Sequence, residues 1–316
     1  MLTKRSVTIA ALVLATGLAI PAFAQPDANS ATPVARTGLI QFPSISPDGQ
    51  ILVFSSAGDL WAVPRSGGSA TRLTSHPAED RRSAFSPDGK WLAFESERDG
   101  PRNIYIASIE RTPTGVVLGP VRRVTTTDRV QNLTGFTPDG KFVTFSATNE
   151  PSIYRSNRLY KAPVDGGPIE RLSDAFGTFP RVSPDGSSVV FSHGRADFTR
   201  PKYDGSGAPD LWRMNIASGQ FERLTSDPRS DSDGWQLPDG SVVYLSSKSG
   251  EYNIRRIPAG QTDAQATDLT NFQPTAAELT IGHGVRDLGV NASGDTASFV
   301  VWDTLYTLDL KTPGAK

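Results

Sequence analysis

The sequence predicts an all-β protein, a six-bladed β-propeller of four-stranded antiparallel blades with an incomplete sixth blade. Three observations carry this. A Pro-Asp-Gly turn recurs five times with a worn sixth copy. Each turn is followed by a strand alternating apolar and polar residues. Two further apolar elements follow at similar spacing, giving the four strands per unit of a propeller blade.

The turns lie at Pro47-Asp48-Gly49, Pro87-Asp88-Gly89, Pro138-Asp139-Gly140, Pro184-Asp185-Gly186 and Pro238-Asp239-Gly240, with Ala292-Ser293-Gly294 as the worn copy. Successive glycines are 40, 51, 46, 54 and 54 residues apart. Proline sets φ at the first corner, aspartate bonds nearby backbone, and glycine takes the positive φ that closes the hairpin. Five residues past each glycine stand Phe54, Phe94, Phe145, Phe191, Leu245 and Phe299; three past it stand Leu52, Leu92, Val143, Val189, Val243 and Ala297. The third element reads Asp59-Leu60-Trp61, Asn103-Ile104-Tyr105, Arg158-Leu159-Tyr160, Asp210-Leu211-Trp212, Asn253-Ile254-Arg255 and Thr304-Leu305-Tyr306. The fourth, such as Arg72-Leu73-Thr74 and Arg223-Leu224-Thr225, is found in five copies. The sixth copy lacks it, and residues 34–40 are a candidate to close the ring from the N-terminal side.

Three divisions follow. Residues 1–24 read as a signal peptide: Lys4 and Arg5 precede an apolar run over 7–20, and Ala22-Phe23-Ala24 fits the cleavage rule. Residues 25–37, rich in Ala, Pro, Asp, Asn and Ser, read as a flexible leader, and 38–312 as the propeller. The run is shorter than a membrane span, so the expectation is a periplasmic or secreted protein with no membrane insertion after cleavage. Without Lys4 and Arg5, 30 basic residues face 33 acidic ones, a net charge of −3, and no nucleic-acid footprint. Cys is absent, which excludes disulfides and thiolate chemistry.

Serine before Pro-Asp-Gly, Lys90-Trp91-Leu92-Ala93-Phe94, Asp-Leu-Trp, Gly67-Gly68 and Arg-Leu-Thr together resemble the WD40-like repeat of TolB and its relatives. The opening run, with Phe42-Pro43 and Asp59-Leu60-Trp61, resembles more closely the first propeller of tricorn-type serine peptidases. The resemblance covers residues 38 to about 310. It implies a binding or gating propeller that handles peptides for a catalytic part located elsewhere, or a TolB-like periplasmic interaction scaffold. Its nucleophile motif has no counterpart here, so no catalytic residue is carried over.

No motif points to catalytic, metal or cofactor chemistry. His76, His193 and His283 fall in separate blades without metal-ligand spacing. Asp231-Ser232-Asp233-Gly234 lacks the earlier oxygen ligand of a calcium loop, Arg229 standing there, and reads as a loop into an inner strand. A channel enzyme would need titratable side chains on the innermost strands, where the expected positions, Ser44, Ala84, Gly135, Arg181, Trp235 and Gly289, are mostly small or neutral. Insertions are the more informative departures. The loops between second and third strands lengthen in the third blade, over 147–157, and in the fourth, over 193–209. Their Tyr154, Arg155, His193, Arg195, Phe198, Arg200 and Tyr203 are the candidate binding residues, on one face, with the Arg, Tyr and Phe chemistry of a protein or peptide partner.

Overall fold

A computed structural model describes residues 31–36, 40–112, 115–150, 156–195, 199–273 and 284–311. Six antiparallel sheets follow one another along the chain. Their inner strands are Gln41–Ile45, Asp80–Phe85, Gln131–Phe136, Thr178–Val182, Asp231–Gln236 and Val285–Val290. Each enters the repeated turn and returns as the second strand.

The turn chemistry explains the repeat. Asp88 accepts hydrogen bonds from Ser86 Oγ at 2.6 Å and from the Lys90 amide at 3.1 Å, while Ser86 Oγ accepts the Trp91 amide at 3.0 Å. The first and fourth blades repeat this set with Ser46–Asp48 and Ser183–Asp185, and the third substitutes Thr137 for serine. In the worn copy Asn291 Oδ1 accepts the Asp295 and Thr296 amides, so an upstream side chain does the same work. The Asp-Leu-Trp and Arg-Leu-Thr elements belong together for a similar reason. Thr74 Oγ1 accepts the Leu60 amide at 3.0 Å and donates to Asp59, which also pairs with Arg72 at 2.5 Å. Thr125 with Asn103 and Thr270 with Asn253 repeat the arrangement.

Packing closes the circle. Six apolar clusters each join two neighbouring blades. The one that decides closure puts Ile40, Leu52 and Phe54 of the first blade against Val300 and Leu305 of the sixth. Register sets Phe54 opposite Trp61, Phe94 opposite Tyr105, Phe145 opposite Tyr160, Phe191 opposite Trp212 and Phe299 opposite Tyr306. These cross-strand aromatic pairs are the unit that stabilises each hairpin.

Two sequence readings need correction. In the fifth blade Leu245 is not the counterpart of Phe54. The turn is one residue tighter: the Leu237 amide bonds to the Ser241 carbonyl, where the first blade bonds Ser46 to Ile51. Tyr244 therefore takes the phenylalanine place, packing with Val190 and Leu211 of the fourth blade, and Leu245 turns to the sixth. A slip of one residue reverses a strand's faces. It also explains Arg255, which stands opposite Tyr244. The second correction concerns the leader. Ala31–Arg36 is a strand on the free edge of Thr304–Asp309, so the sixth blade has four strands, three from one end of the propeller and one from the other. Pairing lies slightly upstream of the stretch expected to close the ring. Composition hid it because an outer strand tolerates a proline, here Pro33, that a central strand would exclude. The second blade adds an unanticipated extra strand, Gly115–Leu118, on Asn103–Thr112.

Asp231 opens the fifth inner strand, buried. Burial pushes its carboxyl up to about 7, against hydrogen bonds from Ser246 and Thr225 that lower it. Its folded value exceeds the usual unfolded value of about 3.9, so its contribution is full below about pH 4 and is lost as pH rises through 7, by up to roughly 4 kcal/mol. Melting curves from pH 4.5 to 8.5 should decline for the wild type and stay flatter for Asp231→Asn. Parallel curves would show that this carboxyl does not titrate in that window.

Candidate binding site in the axial channel

All six inner strands carry a bulge, a shift in register against the second strand. Seven residues before each turn glycine stand Phe42, Arg82, Leu133, Phe179, Asp233 and Asp287. Five of them, all but Leu133, hold a left-handed backbone at φ 45 to 57°. Non-glycine residues adopt this region at a cost of about 1–2 kcal/mol, and such strain concentrates where side chains must be aimed. Neighbouring blades hold the bulges in place. The Arg82 amide donates to Ser55 Oγ at 3.0 Å, that of Leu133 to Glu95 Oε1 at 2.8 Å, and that of Asp233 to Ser192 Oγ at 3.0 Å. The sixth blade offers Val300 at this spacing, which cannot accept, and the Phe42 amide turns instead to Asp287 Oδ2 at 3.2 Å.

These residues line an axial cavity of about 660 Å³ that extends to Pro47, Pro87, Pro138 and Pro184 at the turn end. All six inner positions expected from sequence, Ser44 to Gly289, lie on its wall. The expectation of a neutral channel fails, because the bulges bring charge to it. Arg181 pairs with Asp233 at 3.1 Å and lies 3.7 Å from the Trp235 ring. Burial lowers the Arg181 value and raises that of Asp233, each opposed by the other's charge. Arg286 reaches Asp287 at 3.4 Å and the Ile40 and Trp302 carbonyls at 3.0 and 2.7 Å. Behind the wall, fully buried Glu95 lies 3.3, 3.5 and 3.7 Å from Nε of Arg82, Arg102 and Arg81. Burial opposes ionisation of this carboxyl, and the three guanidiniums facing it favour ionisation. Asp231-Ser232-Asp233-Gly234 is part of the inner strand itself, not a loop leading into it. No three His, Asp or Glu side chains gather as a metal site among the described residues.

The loop candidates form a separate set. His193 ends its strand exposed, its Nδ1 2.7 Å from the Phe176 carbonyl and its ring edge-on to Trp212. Arg195 donates to Ser156, linking the fourth blade to the third. Arg200 lies 4.4 Å over the ring of Tyr203, whose hydroxyl accepts the Gly207 amide at 3.3 Å. None of these four is on the cavity wall. Tyr154, Arg155 and Phe198 lie outside the described residues. Sequence reading missed the ring of bulge positions, three of whose six residues, Arg82, Asp233 and Asp287, are charged. Its only trace is that spacing, at which the chemistry varies from blade to blade while the flanking pattern stays regular.

The model of the tricorn protease N-terminal β-propeller domain matches residues 37–285. The chain belongs to this family. A relative named tricorn protease homolog 1, from Streptomyces coelicolor, is 30% identical over 196 residues, 61% of this chain but 17% of that protein. The tricorn protease crystal structure superposes with a TM-score of 0.66 at 18% identity, covering 90% of this propeller and 27% of that chain. A putative TolB from Agrobacterium tumefaciens gives 0.62 at 19%, covering 90% and 98%. The tricorn-type propeller described here thus spans a minor part of the tricorn proteins it matches. At these identities the two structures speak for the fold alone. Among the described residues no helix is long and apolar enough to cross a membrane.

Proposed function

We propose that the propeller binds peptides or protein segments, admitting an extended segment to the axial cavity from the face where the loops of the third and fourth blades stand. The observation that carries this reading is the cavity, ringed by bulge residues five of which hold a left-handed backbone. Its wall mixes Phe42, Phe179 and Trp235 with paired charges, which suits a chain of alternating apolar and polar groups. Relatives named as tricorn proteases support a role in handling peptides for a peptidase part. The signal-peptide pattern over residues 1–24 supports a periplasmic or secreted setting. A second reading, a TolB-like scaffold for folded partners, draws on relatives named Tol-Pal system protein TolB.

Calorimetry with one protein in two states separates them. Reduced, carbamidomethylated α-lactalbumin should bind, and native α-lactalbumin should not. Gly135→Phe should abolish that binding, since a Cβ there meets only Arg181 and Thr144, at 3.5 and 3.9 Å, and the ring would fill the lumen. Binding of the native form alone favours the scaffold. Binding of neither removes the peptide reading.

A further inference from the structure

We infer that the channel selects for acidic side chains, and that Arg82 receives the carboxylate. This rests on the peptide-binding reading above and adds the chemistry of what is bound. The two cavity carboxylates, Asp233 and Asp287, each have a guanidinium of their own. Arg81, Arg82 and Arg102 share the single buried carboxylate of Glu95. Of the three, Arg81 alone makes an ion pair with a second acid, Glu79 at the exposed rim, 3.5 Å away, whereas Arg82 acts on Asp233 only through its charge, without an ion pair. One cation is left over.

Arg102, likewise paired only with Glu95, lies off the cavity wall, so the cation that faces the lumen is Arg82. Its Nε faces Glu95, and among the described residues no acceptor bonds either Nη atom. Those donors sit in the lumen, with the guanidinium 4.3 Å from the Phe42 ring centroid and 6.0 Å from that of Phe179. The left-handed backbone of Arg82, at φ 45°, is held by Ser55 of the preceding blade, so the side chain is aimed before any ligand arrives. A planar fork of free N–H donors between aromatic rings fits a carboxylate, which takes two parallel charge-assisted hydrogen bonds. The surrounding low dielectric strengthens such a pair relative to water. The cavity continues past Arg82 to the prolines of the turns, so a carboxylate meets it partway along the lumen, as a side chain of a longer segment would. The whole chain carries a net charge of −1, so long-range attraction does not favour anions. A preference for acid must therefore arise locally.

The test is calorimetry with N-acetyl hexaglutamate amide, hexaglutamine amide and hexalysine amide, none of which has a terminal carboxylate. At low salt the glutamate peptide should bind at least about tenfold tighter than the glutamine peptide, and the margin should shrink as salt screens the charge. Arg82→Gln should bring the two within about twofold, and Arg82→Lys should keep part of the preference. Melting curves check that the variants fold; if Arg82→Gln does not, the wild-type comparison and Arg82→Lys decide. Equal binding of the glutamate and glutamine peptides, tighter binding of hexalysine, or full preference in Arg82→Gln overturns the inference. Binding of unfolded α-lactalbumin without acid preference leaves the peptide reading standing; binding of no unfolded or extended probe removes both.

Discussion

Phe299→Ala should lower stability by about 3–5 kcal/mol, the range for emptying a large aromatic side chain from a packed core. Phe299 is fully buried and stacks on Tyr306 at 5.6 Å, with Phe272 edge-on to both at 6.1 and 5.6 Å. Its cluster joins the fifth blade to the sixth. The sixth blade must also meet the first to close the ring. A cavity here should loosen both junctions, and the melting temperature should fall by several degrees. Trp91, exposed at 38% on the second blade, is the control. Trp91→Ala should change stability by well under half as much. A similar loss from the two variants would mean that burial between blades is not what holds the ring.

The second large effect is expected at Glu95. Glu95→Gln keeps the shape and an acceptor for the Leu133 amide, yet removes the one carboxylate facing three guanidiniums. Breaking a buried charge network by removing one partner costs about 3–5 kcal/mol, because the remaining charges stay desolvated. Asp231→Asn makes the same chemical change in the fifth blade with the opposite sign at pH 8. Asp231 is buried without a comparable set of cations, so its ionised form is the costly one. Thermal melts of both variants at pH 8 compare the two environments directly. A stable Glu95→Gln protein would mean that the three arginines find other partners or solvent, and would weaken the case that Arg82 is held in place by its surroundings.

The repeat made most of the fold legible. A turn that needs Pro, Asp and Gly at fixed places, followed by apolar residues at period two, states its local structure in the sequence. A blade cannot bury two apolar faces by itself, so repetition of the blade implies a ring. The same pattern misled where geometry departs from it by one residue. Tyr244 and Leu245 exchange roles because the fifth turn is tighter, and nothing in Pro238-Asp239-Gly240 announces that. Ala31–Arg36 pairs at an edge, where backbone hydrogen bonding suffices and side-chain pattern is weak.

Residue order set the six hairpins, the aromatic pairs of five of them and the stacking that follows from faces too apolar to leave in water. The tertiary structure alone decided what the centre of the ring presents. A bulge is a property of two paired strands, and the acceptor that holds Arg82 or Asp233 in a left-handed conformation comes from the blade before it. Arg82, Arg181, Asp233 and Asp287 lie far apart along the chain, and their charges meet only because the ring closes.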